Sequence, residues 1–211
     1  MRAALSIWLH PRATTRDLDP ARHWRQFLIL APAYGISVNL RQVIRHGVGP
    51  ETGVSGPAIV FANVAFGALF GIIVLLFAAY VVTWMVRLFR GSCSVRGARS
   101  VLAWASIPYI PQLAIMIPLL LVYGDLVFFP NSSGGARTGL HPVGIVYYIL
   151  GAIAGVWAVV IGVVGLSERA GLSNGRSFLA LFLSFMAALV PVFVVLGLIA
   201  TVGRGTGMGV P

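Results

Sequence analysis

Long apolar runs separated by short polar segments organise this chain, and two of them flank its most basic stretch. That stretch is Arg87 to Pro111, where Arg87, Arg90, Arg96 and Arg99 fall close together. Taken in order, residues 1–19 form an N-terminal segment. In it Leu5, Ile7, Trp8 and Leu9 read as a short interfacial piece with Trp8 at headgroup depth, and no small-residue cleavage site follows. Asp19-Pro20 reads as a helix start, with Asp as N-cap and Pro in the first helical position. That helix is expected to run to about Arg45. Its uninterrupted apolar part, Phe27 to Leu40, spans only roughly 21 Å at 1.5 Å per residue, so crossing requires Arg25 and Arg41 to snorkel outward from its two ends. After a loop from Gly47 to Gly56, Pro57 to Val86 is the clearest span and carries Gly67 and Gly71 as a G-x-x-x-G pair. Val101 to Phe129 is a third span, kinked or split by Pro108, Pro111 and Pro118. Pro130 to His141 is turn chemistry. Pro142 to Leu166 is a fourth span with Gly151, Gly155, Ala158, Gly162 and Gly165 along one face. A polar loop from Ser167 to Arg176 leads to a fifth span, Ser177 to Val202, interrupted at Pro191. Residues 203–211 form a loose Gly-rich tail.

Composition turns these runs into membrane helices. The 211 residues are 58% hydrophobic and 9% charged, with a mean hydropathy of +0.93, against roughly 25% charged residues in a soluble domain. The expected fold is an all-α, polytopic bundle of five transmembrane helices, with residues 20–202 as the membrane domain. The net charge of +10 would suggest nucleic acid in a soluble protein. Here the arginines sit in short loops beside apolar spans and read as topology determinants and contacts to anionic headgroups, with no nucleic acid. With a cytoplasmic N-terminus, the inner side holds Arg2, Arg12, Arg16, Arg22, Arg25, Arg87, Arg90, Arg96, Arg99, Arg169 and Arg176. The outer side holds only Arg41, Arg45, Arg137 and Arg204. This asymmetry satisfies the positive-inside rule, puts the C-terminus outside and requires the weak first helix to cross. All fifteen basic residues are Arg, a usage expected of a GC-rich bacterial gene, and hence of a bacterial inner (plasma) membrane protein.

Candidate chemistry is sparse. One cysteine, Cys93, excludes an internal disulfide or a CxxC pair, and His10, His23, His46 and His141 are nowhere at ligand spacing, so no metal or cofactor is expected. On the cytoplasmic assignment of its loop, an impermeant thiol reagent applied to intact cells is expected to miss Cys93. Gly171 to Gly175 matches G-x-S-x-G but joins two membrane helices, where a nucleophile elbow needs a strand. Gly53-Val54-Ser55-Gly56 matches the G-x-S-G of intramembrane proteases, with His141 as the only plausible partner for Ser55. The five acids, Asp17, Asp19, Glu51, Asp125 and Glu168, lie in loops or at span ends, so no ion relay is visible. Asn39, Asn63, Gln112, Ser184 and Tyr109 remain inside, more in keeping with interhelical hydrogen bonds than with a substrate site. Glu168 and Arg176 can pair or meet a partner.

The order W-L-H-P-R-A-T (Trp8 to Thr14), R-G-A-R-S-V-L-A-W-A-S-I-P-Y-I-P (Arg96 to Pro111) and G-L-S-E-R-A-G-L-S-N-G-R-S (Gly165 to Ser177) resembles the prokaryotic branch of the Yip family. The resemblance implies five membrane helices, a cytosolic N-terminus and an extracytosolic C-terminus. Eukaryotic members are linked to Rab GTPases and vesicle traffic, but their long cytosolic N-terminal region and D-L-Y-G-P motif have no counterpart in these residues. The expected role is non-enzymatic: a membrane organiser or adaptor that binds lipids or other membrane proteins, with a homo-oligomer compatible with its small-residue faces. Arg96, Arg99, Glu168 and Arg176 are the candidate partner or lipid contacts, and Pro108, Tyr109 and Pro111 the candidate helix-break positions. The alternatives are a transporter or lipid-moving protein built on the broken third helix, and an intramembrane serine protease.

Overall fold

The computed structural model describes residues 12–13, 23–46, 55–123 and 142–205, and every element among them is helical. The helices are α1 (His23–His46), α2 (Gly56–Leu88), α3 (Val95–Ala105), α4 (Ile110–Tyr123), α5 (Pro142–Ala170) and α6 (Asn174–Gly205), with a 3₁₀ turn at Ile107–Tyr109 between α3 and α4. Asp19-Pro20, the 130–141 turn segment and the tail beyond Gly205 lie outside the described residues. Among the described residues two helices are long and apolar enough to cross a membrane, Gly56–Leu88 and Val146–Ala170, and Asn174–Val190 is a shorter apolar stretch.

Three boundaries differ from the sequence reading. α3 begins at Val95, before the apolar run, because the Ser94 hydroxyl accepts a hydrogen bond from the Gly97 N–H at 3.1 Å and caps the first turn. α5 carries its helix through Glu168 and Arg169 to Ala170, so the expected polar loop shrinks to Gly171, Leu172 and Ser173. Gly171 ends the helix at φ 65, the Leu172 N–H returns to the Ser167 carbonyl at 3.3 Å, and Ser173 caps α6 through the Arg176 N–H. Pro191 lies inside α6 rather than interrupting it. A proline removes one backbone hydrogen bond, and neighbouring helices let a membrane helix tolerate that loss.

The surface is apolar and several interior positions are polar, the reverse of a soluble domain. Phe61 of α2 is 76% exposed, and Phe66, Tyr80, Trp84, Val156 and Phe185 are also open. Ser37, Thr83, Ser100 and Gln112 are buried. So much contiguous apolar surface fits lipid rather than water as the surrounding solvent.

The tightest packing is between α1 and α2. A Cβ on Gly35 would collide with the Gly67 carbonyl and lie 2.5 Å from Gly71 N, so the two backbones touch. Ala31 and Gly35 on α1, four apart, face Gly67 and Gly71 on α2. Interlocking small pairs of this kind let helices approach to main-chain contact. The G-x-x-x-G pair is therefore occupied within the chain. One turn further along, Asn39 Nδ2 donates to Asn63 Oδ1 at 2.9 Å and closes the seam with a polar pair.

One end of the bundle gathers both short connections. The Ser92 N–H donates to the Ala170 carbonyl at 3.1 Å, Gly91 sits against Leu172, and Val86, Cys93, Ala98, Leu166, Ala170 and Ala180 share a buried cluster beneath them.

Candidate functional site

The site grows from the break in the third apolar run. α3 has 11 residues, about 16 Å, and α4 has 14, about 21 Å, so neither half alone spans a roughly 30 Å hydrocarbon core. Between them Pro108 and Tyr109 lie in the 3₁₀ turn and Pro111 in the first turn of α4, where a missing N–H costs least. The Ser106 hydroxyl donates to the Ala103 carbonyl at 2.6 Å and the Tyr109 N–H to the Ser106 carbonyl at 3.1 Å. The remaining backbone need is met from α1. The buried Ser37 hydroxyl lies 3.2 Å from both the Tyr109 carbonyl and Gln112 Oε1, and with one proton it is shared between them.

Around this junction two environments meet. On one side is an apolar cleft of about 530 Å³, within the range of small-molecule sites. It is walled by Leu75, Ala78 and Val82 of α2, Leu102 of α3, Ala158 and Gly162 of α5, and Phe178, Phe182 and Phe185 of α6, with Tyr34 and Tyr109 at its edge. Those two rings meet edge to face at 5.2 Å. On the other side two polar side chains lie over Gly151 of α5. A Cβ there would lie 2.7 Å from Gln112 Nε2 and 3.1 Å from Arg41 Nη1. The Arg41 guanidinium thus points into the bundle toward α5, not outward from the end of α1 as the sequence suggested.

The candidate contact residues lie at the opposite end. Arg96 and Arg176 are exposed on the first turns of α3 and α6. Arg99 is half-buried, its guanidinium stacked 4.7 Å from the Trp24 ring centroid and 5.5 Å from that of Phe27. Glu168 pairs with Arg12 Nε at 3.1 Å rather than with Arg176. Cys93 is buried, and burial pushes its thiol above the ordinary value, offset in part by the Arg169 charge and the Ala98 N–H. A buried thiol that ionises only at higher pH resists labelling from either face, so silence at Cys93 does not report orientation. Ser55 precedes α2 and is exposed, and His141 lies outside the described residues. Among the described residues there is no group of three or more His, Cys, Asp or Glu that could hold a metal.

These elements are covered almost end to end by a family model, the Yip1 domain, which matches residues 5–196. The chain belongs to the Yip1 family. No curated protein and no solved structure matches it. With its apolar spans, the family match makes this a membrane protein. In this Yip1 domain the sequence reading named Tyr109 and Gln112 among the interior polar groups, placed Arg41 facing outward and missed Tyr34 and Ser37. A signal was present: Tyr34, Ser37 and Arg41 are spaced three and four apart, a polar stripe on one face of an otherwise apolar helix. The Ala31 and Gly35 pair was equally legible as the complement of Gly67 and Gly71.

Proposed function

We propose that this Yip1-family protein is a non-enzymatic organiser of the membrane that works by holding lipid. The apolar cleft carries the reading. It adjoins the broken α3–α4 helix, and a bilayer supplies acyl chains as the commonest apolar occupant at that depth. The rest of the reading follows the sequence: five crossings by α1, α2, α3 with α4, α5 and α6, a cytoplasmic N-terminus, an extracytoplasmic C-terminus, and a place in the prokaryotic branch of the family and the bacterial inner membrane. Two observations support this arrangement. The short α2–α3 and α5–α6 connections are tied to each other, and Arg12 is tied to the end of α5. On this reading the exposed Arg96 and Arg176 meet anionic headgroups or a partner protein at the cytoplasmic face, while Arg99 and Glu168 hold that face together.

Lipid retention tests the cleft. Purified protein is expected to carry phospholipid detectable by native mass spectrometry, and Ala158→Phe, which fills the cleft, to lose it while still eluting as a folded species. Retention unchanged in Ala158→Phe sinks the assignment. Orientation is tested at Gly175, where a side chain meets nothing within 4 Å. In a Cys93→Ala background, Gly175→Cys is expected to resist an impermeant thiol reagent in intact cells and to react after permeabilisation. Labelling in intact cells would reverse the topology.

A further inference from the structure

We infer that the Arg41 guanidinium and the Gln112 amide, which meet over the Gly151 backbone, bind a phosphate-class oxyanion, with the phosphate of a lipid headgroup as the source favoured by the adjoining cleft. The choice of a lipid source rests on the lipid-holding reading above; the anion site does not. Gln112 is 2% exposed, and its Nε2 has no hydrogen-bond partner among the described residues. A buried donor left unpaired is costly, and here it is aimed at the same spot as a guanidinium. Glu168 is the sole acid among the described residues, and it pairs with Arg12 at the other end of the bundle. Arg41 therefore has no carboxylate beside it there. Turning the Gln112 amide by 180° would let Nε2 donate to Ser37 and bring Oε1 toward Arg41. In either rotamer the guanidinium keeps its charge.

The backbone of α5 adds to this. Gly151 has no side chain, which lets Gln112 Nε2 and Arg41 Nη1 lie directly on the helix, and Gly155, one turn along α5, opens onto the cleft where the Tyr109 hydroxyl sits 3.5 Å from its Cβ position. A phosphate at Gly151 would have apolar space continuing from Gly155 to Gly162, about 10 Å along α5 at 1.5 Å per residue. This is the arrangement an amphiphile requires.

The experiment is native mass spectrometry of the full chain in detergent, with phosphatidic acid and diacylglycerol of matched acyl chains as probes, and inorganic phosphate as competitor. Phosphatidic acid is expected to bind about tenfold or more tightly than diacylglycerol. Arg41→Gln is expected to erase that preference, and Arg41→Lys to keep part of it. Equal binding of the two lipids, or a preference that survives Arg41→Gln, overturns the anion site while leaving the cleft standing. Loss of all lipid in Ala158→Phe with Arg41-dependent thermal stabilisation by phosphate retained keeps the anion site alongside the cleft. If phosphate stabilises in that way but no lipid binds even to the unmodified chain, the cleft reading fails and the source is a free anion. Glu51→Gln and Asp125→Asn are controls for a carboxylate within the chain. Destabilisation by either that matches Arg41→Gln, with no effect of phosphate, overturns the proposal.

Discussion

α1–α2 and α5–α6 both carry small residues at three- and four-residue spacing, yet the first pair closes to main-chain contact and the second leaves a cleft. The difference lies in what stands opposite. Gly67 and Gly71 face Ala31 and Gly35, so small meets small and the backbones touch. Gly155 instead faces the Tyr109 hydroxyl and Gly162 the end of Leu181, so large side chains stand opposite, and the cleft they line with Ala158 and Phe182 stays open. A stripe of small residues specifies room, and the facing helix decides whether a backbone or a ligand uses it.

The same substitution at the two stripes is the sharpest way to break this contrast. Gly71→Ala would drive a methyl into the Ala31 carbonyl, with Gly35 N at 2.8 Å. It is expected to cost about 3 kcal/mol, read as a large fall in the melting temperature of detergent-solubilised protein. Indifference to this change would mean that α1 and α2 are not in main-chain contact. At the end of α2, Arg90 is the one non-glycine residue at positive φ among the described residues, at 61. Arg90→Gly is expected to stabilise by about 1 kcal/mol in the same melt, because it removes the left-handed penalty without touching either stripe. Gly162→Ala should be neutral or stabilise by up to about 1 kcal/mol, since its Cβ would meet the end of Leu181 at 3.4 Å and Ala105 Cβ at 3.8 Å, both ordinary contacts, and the helix gains propensity. A destabilisation comparable to that of Gly71→Ala would show that the α5–α6 space is closed. The smallest effect is expected from Asn39→Leu, about 0.6 kcal/mol, typical of an interhelical polar pair in a membrane. A larger loss would make the Asn39–Asn63 bond, rather than glycine contact, the main lock of the seam.

Much of the fold was legible because apolar runs and prolines act locally. Gly56–Leu88 and Pro142–Ala170 appear where hydropathy put them, and the third run breaks at Pro108 as missing N–H groups require. The boundaries that moved did so where a cap outweighed composition: Ser94 starts α3 among arginines, and Gly171 lets α5 continue through Glu168. The polar cluster was harder to read because its parts are distant in sequence. Ser37 and Gln112 are 75 residues apart, and only the crossing of α1 over the broken helix brings them together. Arg41 was misjudged because a cation near a helix end ordinarily finds water, and nothing in its neighbours announces the glycine on α5.

The bond from Ser92 to Ala170, with Gly91 seated on Leu172, works as the spring end of a clothes-peg. It clips the arginine-rich ends of α2, α5 and α6 together above the Val86–Leu166 cluster, so any splaying of α2 from α6 must grow with distance from that clip. Traffic into the cleft would then be sideways, from the leaflet farther from the arginines. Tightening the clip would slow exchange without altering what is held.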